Sequence, residues 1–276
     1  MSWPRAPQAL RKIDHTMTPT PAHPEREYSA RALFAIAVPQ ANPVVEPEFS
    51  ALAPDGVGLI ATRLQGSRTD SGNRLVQYLD NLGTSIEAFD TARPDVLGFA
   101  CTGTSYLLGQ DEERKRIDAL EQRFGFPIVT ASQAILWACQ SLGVRRIALL
   151  APYPAFLVDA SLQYWTACGL EVVSFARKEM DPIDTRAVYR IRAPMVLEAA
   201  AALNVTDADA ILLSGTGMPT LRVIPQLAQL TSRPVLSSNL CLAWAMLKVA
   251  GVEPPAARKE LGESLLGGWV ERAARL

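Results

Sequence analysis

The chain has 276 residues, 49% of them hydrophobic, which is enough to bury the core of one large or two small domains. A net charge of −1 leaves no basic footprint for nucleic acid. No apolar run approaches the roughly 20 residues that span a bilayer, so no membrane partner is expected.

Residues 1–28 are Pro-rich and polar and read as a disordered tail. Both histidines, His15 and His23, fall in it, so the folded body is expected to contain none. That disfavours a Ser-His-Asp triad, a Cys-His pair and most transition-metal sites. No metal and no cofactor are expected. Acid/base work then falls to Cys, Tyr, Asp, Glu, Lys, Arg or the substrate. The cysteines at 101, 139, 168 and 241 show no CxxC spacing. With no apolar signal segment at the N-terminus, a reducing cytoplasmic setting is expected.

The folded body opens with an apolar run, Ala32 to Val38, that stops at Pro39 as a buried parallel strand would. Pro39-Gln-Ala-Asn42-Pro43 forms a loop, and Val44 to Glu48 reads as a helix start. Gly56 to Ala61 is a second strand, Arg74 to Asn81 part of a helix, and Val96 to Ala100 a strand ending at Cys101. Asp111 to Phe124 is a charged amphipathic helix. Ile128 to Thr130 is a short strand, and Ser132 to Leu142 a helix closed by Gly143.

Ile147 to Leu150 begins a second series, followed by Pro152-Tyr153-Pro154 and a helix from Phe156 to Cys168. Leu170 to Phe175 is a strand and Ala193 to Leu203 a helix. Ala210 to Leu213 is a strand ending at Ser214-Gly215-Thr216-Gly217. Alternating strands and helices imply parallel sheets with right-handed crossovers, and ligands bind beyond the carboxyl ends of such strands.

The two series repeat each other. Asp95-Val-Leu-Gly-Phe-Ala-Cys101-Thr-Gly103 returns as Asp209-Ala-Ile-Leu-Leu-Ser-Gly215-Thr-Gly217. Pro127 to Trp137 returns as Pro234 to Trp244, and Ala35 to Pro39 as Ala148 to Pro152. From that Pro to the Asp is 56 positions in one copy and 57 in the other. The expected fold is therefore α/β with two pseudo-symmetric lobes, each a short parallel sheet flanked by helices, a doubled flavodoxin-like arrangement. The first lobe is expected at 29–145 plus 237–276, the second at 146–236, with the active site in the cleft between them.

The copies disagree at one chemically telling place, a thiol at 101 against glycine at 215. Thr102, Gly103, Thr104 and Ser105 after Cys101 leave backbone N–H groups free for an anion, and the same groups are expected to lower the thiol pKa. Cys139, Cys168 and Cys241 sit in apolar helical stretches and read as structural. The 214–217 loop is glycine-rich, yet it matches neither GxGxxG, since Thr220 stands at the third glycine, nor a P-loop. N–H groups at Thr216 and Gly217 suit a carboxylate better. Tyr153 either donates to a carboxylate or enolate oxygen or simply packs. Asn42 either donates to a carboxylate or shapes an Asx turn. Ser132 and Ser238-Asn239 read as helix N-caps, with Ser237 a further ligand contact.

These segments resemble the Asp/Glu racemase superfamily, and within it the branch of maleate cis-trans isomerase and arylmalonate decarboxylase. The matching stretches are Val38 to Glu48, Ala100 to Thr104, Ala151-Pro-Tyr153, Leu213 to Gly217 and Ser237 to Trp244. The resemblance implies that Cys101 is the catalytic cysteine of the first lobe. It implies that Asn42 and Tyr153, with the two Gly/Thr loops, hold substrate carboxylates, and it makes a homo-oligomer plausible. Gly215 departs from the family's second cysteine, which disfavours two-base racemisation. The decarboxylase pattern keeps its thiol on the second loop and glycine on the first, the reverse of this chain.

Three functions stay open. The first is cofactor-independent isomerisation of a small dicarboxylate such as maleate, with Cys101 adding to the double bond. The second is decarboxylation of an arylmalonate-type acid with Cys101 as the single proton donor. The third is a non-catalytic small-acid binding protein. Gly215→Cys is expected to create racemase activity if the loops face each other.

Overall fold

A computed structural model of the chain describes residues 23, 25–178 and 184–276. Most of the expected tail lies outside the described residues. Its described end docks on the body: His23 Nε2 lies 3.0 Å from Asp95 Oδ1. The expectation of a folded body without histidine is thereby corrected, because Asp95 gives the imidazole a carboxylate partner.

The first series comprises β1 (Ala32–Pro39), α1 (Val45–Leu52), β2 (Val57–Leu64), α2 (Ser71–Asp80), α3 (Leu82–Glu87), β3 (Val96–Phe99), α4 (Thr102–Leu108), α5 (Gln110–Phe124), β4 (Ile128–Thr130) and α6 (Ala131–Leu142). The second comprises β5 (Arg146–Ala151), α7 (Ala155–Ala167), β6 (Glu171–Arg177), α8 (Ala193–Ala200), β7 (Ala210–Leu213), α9 (Ile224–Thr231), β8 (Val235–Ser237) and α10 (Ser238–Val249), with α11 (Val270–Ala273) near the C-terminus.

The strands form two four-stranded sheets, ordered β2-β1-β3-β4 and β6-β5-β7-β8, and every pairing is parallel. Apart from the exposed Arg146 that opens β5, the central strands β1, β3, β5 and β7 are apolar and almost wholly buried, as strands covered by helices on both faces are. The repeated Asp has a structural role. Asp95 Oδ2 accepts the Leu33 N–H at 2.7 Å, and Asp209 Oδ2 accepts the N–H groups of Arg145 and Arg146 at 3.0 and 2.8 Å. Each carboxylate pins the start of its sheet's first strand, so strand ends and loops fall in register in both copies.

The helix expectations fail locally in two ways. α4 begins at Thr102, directly after Cys101, although Thr-Gly-Thr-Ser is a poor helix former. The paired helices α6 and α10 are capped one or two residues earlier than expected. Thr130 Oγ1 accepts from Gln133 N and Ser237 Oγ accepts from Leu240 N, so Ser132, Ser238 and Asn239 are not the caps. α10 is buried on nearly all sides and packs on α6, β3 and α1, elements of the first series. Among the described residues no helix is long and apolar enough to cross a membrane.

Candidate active site

The carboxyl ends of both sheets meet around one cavity of about 50 Å³, room for a few waters at roughly 10–15 Å³ each. Cys101, Thr102 and Gly103 line it from the first loop, and Gly215, Thr216 and Gly217 from the second. Tyr153 closes one side from the β5–α7 loop. Leu75 and Tyr78 of α2, Leu157 of α7, and Thr185, Val188 and Tyr189 of a 3-10 turn complete the wall. None of these lining residues carries a formal charge.

Side chains lock the two loops together. Thr216 Oγ1 donates to the carbonyl of Ala100, the residue before Cys101, at 2.8 Å. Thr102 Oγ1 and Tyr153 Oη share a hydrogen bond of 2.7 Å, and Tyr106 Oη and Ser214 Oγ share one of 2.6 Å. These contacts span the two sheets and place Cys101 and Gly215 on the wall of the same cavity.

Cys101 is only 4% exposed. Burial raises its pKa above the ordinary thiol value, opposed by the Thr104 hydroxyl at 3.3 Å and the N–H groups of Thr104 and Gly103. This corrects the expected lowering: the donors are in place, but loss of water outweighs them. The same Thr104 hydroxyl also donates to the Leu75 carbonyl at 2.6 Å. A hydroxyl has one proton, so the sulfur does not hold that donor alone. Burial pushes Cys139 and Cys168 up to about 12 and Cys241 well above its ordinary value.

On the second loop, Gly215 N donates to Ser238 Oγ at 2.9 Å. The N–H groups of Thr216 and Gly217 have no hydrogen-bond partner among the described residues, which leaves two donors for an anion. Gly215 has φ +127°, a backbone conformation that side-chain-bearing residues rarely adopt. A cysteine there would be strained, which counts against the racemase activity expected of Gly215→Cys. Gly217 is required by contact: a Cβ there would lie 2.6 Å from the Tyr189 ring.

Asn42 and Ser237 are not on the cavity wall. Asn42 Oδ1 accepts from Val44 N at 2.8 Å as an Asx turn, and its Nδ2 donates to Thr216 Oγ1 at 3.3 Å. It holds the second loop from behind. Ser237 is occupied by the α10 cap.

Two buried glutamates stand behind the loops. Glu48 Oε1 accepts from Thr220 N and Leu221 N at 2.5 and 3.0 Å, and its Oε2 accepts from Asn239 Nδ2 at 2.7 Å. Asn239 Nδ2 also donates to the Thr216 carbonyl, so this network anchors the glycine loop. Glu113 accepts from Ser105 Oγ of α4 at 2.5 Å and Thr130 Oγ1 at 3.2 Å. Burial raises it to about 7 against those two bonds. Glu113, Tyr78 and Tyr189 carried no sequence signal, since they lie outside the repeated segments. Glu48 closes the Val38 to Glu48 stretch, where nothing in the sequence marks it as a buried brace.

Comparison with known proteins fits this geometry. A maleate isomerase of Geobacillus stearothermophilus is 31% identical over 170 residues, covering 59% of this chain and 66% of that protein, just under two thirds of its length. The solved maleate isomerase Iso of Pseudomonas putida S16 superposes with a TM-score of 0.77 at 25% identity, covering 86% of this chain and 99% of that one. A Nocardia farcinica maleate cis-trans isomerase variant, solved with a covalently bound succinylcysteine intermediate, shares the fold with a TM-score of 0.73 at 21% identity, covering 80% and 93%. The arylmalonate decarboxylase family model matches residues 34–261, and the chain belongs to that family.

Proposed function

We propose that the chain is a cofactor-independent cysteine enzyme that isomerises a small cis-dicarboxylate such as maleate. The observation that carries this is that Cys101 lines one uncharged cavity together with Thr216 and Gly217, whose N–H groups have no partner among the described residues. Those N–H groups take one carboxylate without formal charge, as backbone donors do for anions. Thiolate addition to the double bond leaves a single bond free to rotate. Expulsion of the thiolate then gives the trans product. The thiol gives its proton to solvent before substrate binds, so the free enzyme reacts in its thiolate form. The maleate isomerase relatives and the succinylcysteine adduct seen in the Nocardia enzyme support this reading.

Decarboxylation with Cys101 as proton donor is the second reading. The family match and the apolar wall of Leu75, Leu157 and Val188 favour it. A pH profile separates the two. Addition needs thiolate, so kcat/KM should still be climbing at pH 9, the ordinary thiol value, because burial places this thiol higher. Protonation needs the thiol, so that activity should be level there and decline only at higher pH. A profile level through pH 9 with maleate would overturn the isomerase reading.

The setting we propose is the reducing cytoplasm, supported by four free cysteines, and homo-oligomeric assembly belongs to the same proposal by family resemblance.

A further inference from the structure

Isomerisation through a saturated adduct needs a group that exchanges a proton at the carbon facing Gly215, where this chain has no side chain. We propose that the Tyr153 hydroxyl does this, acting as acid and then as base at that carbon. The proposal rests on the isomerase reading above.

A Cβ built on Gly215 would lie 3.3 Å from Tyr153 Oη, so the hydroxyl fills the space a side chain at 215 would point into. Tyr153 lines the same cavity as Cys101. Its hydroxyl also heads a relay: it bonds Thr102 Oγ1 at 2.7 Å and Ser214 Oγ at 3.4 Å, and Ser214 bonds Tyr106 Oη at 2.6 Å. Hydroxyls can turn to donate, so Thr102 and Ser214 are placed to steady a phenolate. Burial holds Tyr153 up to about 12, so it rests protonated, and its phenolate is a strong base once formed. Tyr78 and Tyr189 also line the cavity, but their hydroxyls have no hydrogen-bond partner among the described residues. The Tyr189 ring lies against Gly217 instead.

The step balances. The Cys101 thiolate, its proton already released to solvent, bonds one alkene carbon through Sγ, and the π pair moves to the other carbon and its carboxylate. Tyr153 passes its proton to that carbon, leaving a phenolate and a saturated thioether. Rotation turns that carbon's original hydrogen toward the phenolate, which removes it while the delivered hydrogen stays; the C–H pair re-forms the double bond, and the C–S bond breaks to return the thiolate. Nothing is oxidised or reduced.

The test uses the full chain with maleate in D2O, followed by NMR. Wild type should place solvent deuterium on the vinylic carbons of fumarate. Tyr153→Phe should lose that label and about 10²-fold or more in kcat, the usual scale of acid/base catalysis, with KM nearly unchanged. Ser214→Ala should show a smaller loss in the same direction, and it serves if the Phe variant does not fold. Fumarate without deuterium from wild type overturns the proposal. So does a Tyr153→Phe variant that changes only KM, or a label lost in Tyr189→Phe and kept in Tyr153→Phe. Maleate turnover that is absent, or indifferent to Cys101→Ser, sinks the isomerase reading and this proposal together. Cys101-dependent turnover with an indifferent Tyr153→Phe sinks the proposal alone.

Discussion

The Cys101 and Gly215 loops begin six residues after equivalent aspartates and end equivalent strands, yet their backbones are committed differently. Cys101 sits at φ −144°, ordinary extended backbone that any residue adopts. Gly215 sits at φ +127°. Their supports differ as well. The first loop leans on Glu113 through two hydroxyls, and the second on Glu48 through backbone and amide N–H groups. A one-letter difference between two sequence copies is therefore a difference in conformation and scaffolding. Moving the thiol to position 215 by substitution meets a strained backbone.

The largest effect expected from testing this contrast is on the reactive side. Cys101→Ser should lower turnover by about 10³-fold or more, as loss of a nucleophile does, with ligand affinity retained by calorimetry. Retained turnover would make the first loop no more reactive than the second. Next is the support of the glycine loop. Glu48→Ala leaves the Thr220 and Leu221 N–H groups unpaired inside the protein and removes one of the two acceptors of the Asn239 amide, at roughly 1–3 kcal/mol for each lost partner where no water enters. Urea melts should show a loss on the order of 3 kcal/mol or more, and weakened substrate binding should follow.

Glu113 should show the contrast through pH. Between the ordinary carboxylate value of 4.5 and about 7, the native chain holds a proton that the unfolded chain has released. Stability should therefore fall as pH rises through that window, by on the order of 3 kcal/mol. Glu113→Gln should remove the decline, and urea melts at several pH values will show whether it does. The smallest effect belongs to Gly215→Cys. Its forced backbone should cost about 1–3 kcal/mol of stability, with no racemase activity gained. An unstrained, active racemase from that variant would show that the two loops are interchangeable after all.

Much of this was legible in the residues. Apolar runs ending at Pro39, Cys101 and Ser214 marked strand ends, and the doubled Asp spacing marked two sheets and a shared cleft. The thiol's environment was misjudged, because a one-dimensional string shows the donors at Gly103 and Thr104 but not the burial that outweighs them. Asn42 and Ser237 were drawn too close to the ligand for a related reason. A polar residue beside a motif either faces the cavity or braces the loop, and only packing decides. The wall made by Leu75, Tyr78, Val188 and Tyr189 was invisible, since those residues come from elements outside the repeat. α4 was missed because tertiary contacts, including Ser105 with Glu113, override weak local propensity.

The return of α10 onto α6, β3 and α1, with Arg272 donating to the Ala51 carbonyl at 2.6 Å, ties the residues after β8 into the first series. A ribosome must therefore release α10, Ser238–Val249, before the first sheet gains its final cover. Fragments that stop near residue 236 should emerge sticky and protease-sensitive, and mixing separately made halves is a more promising route to a split enzyme than expressing either alone.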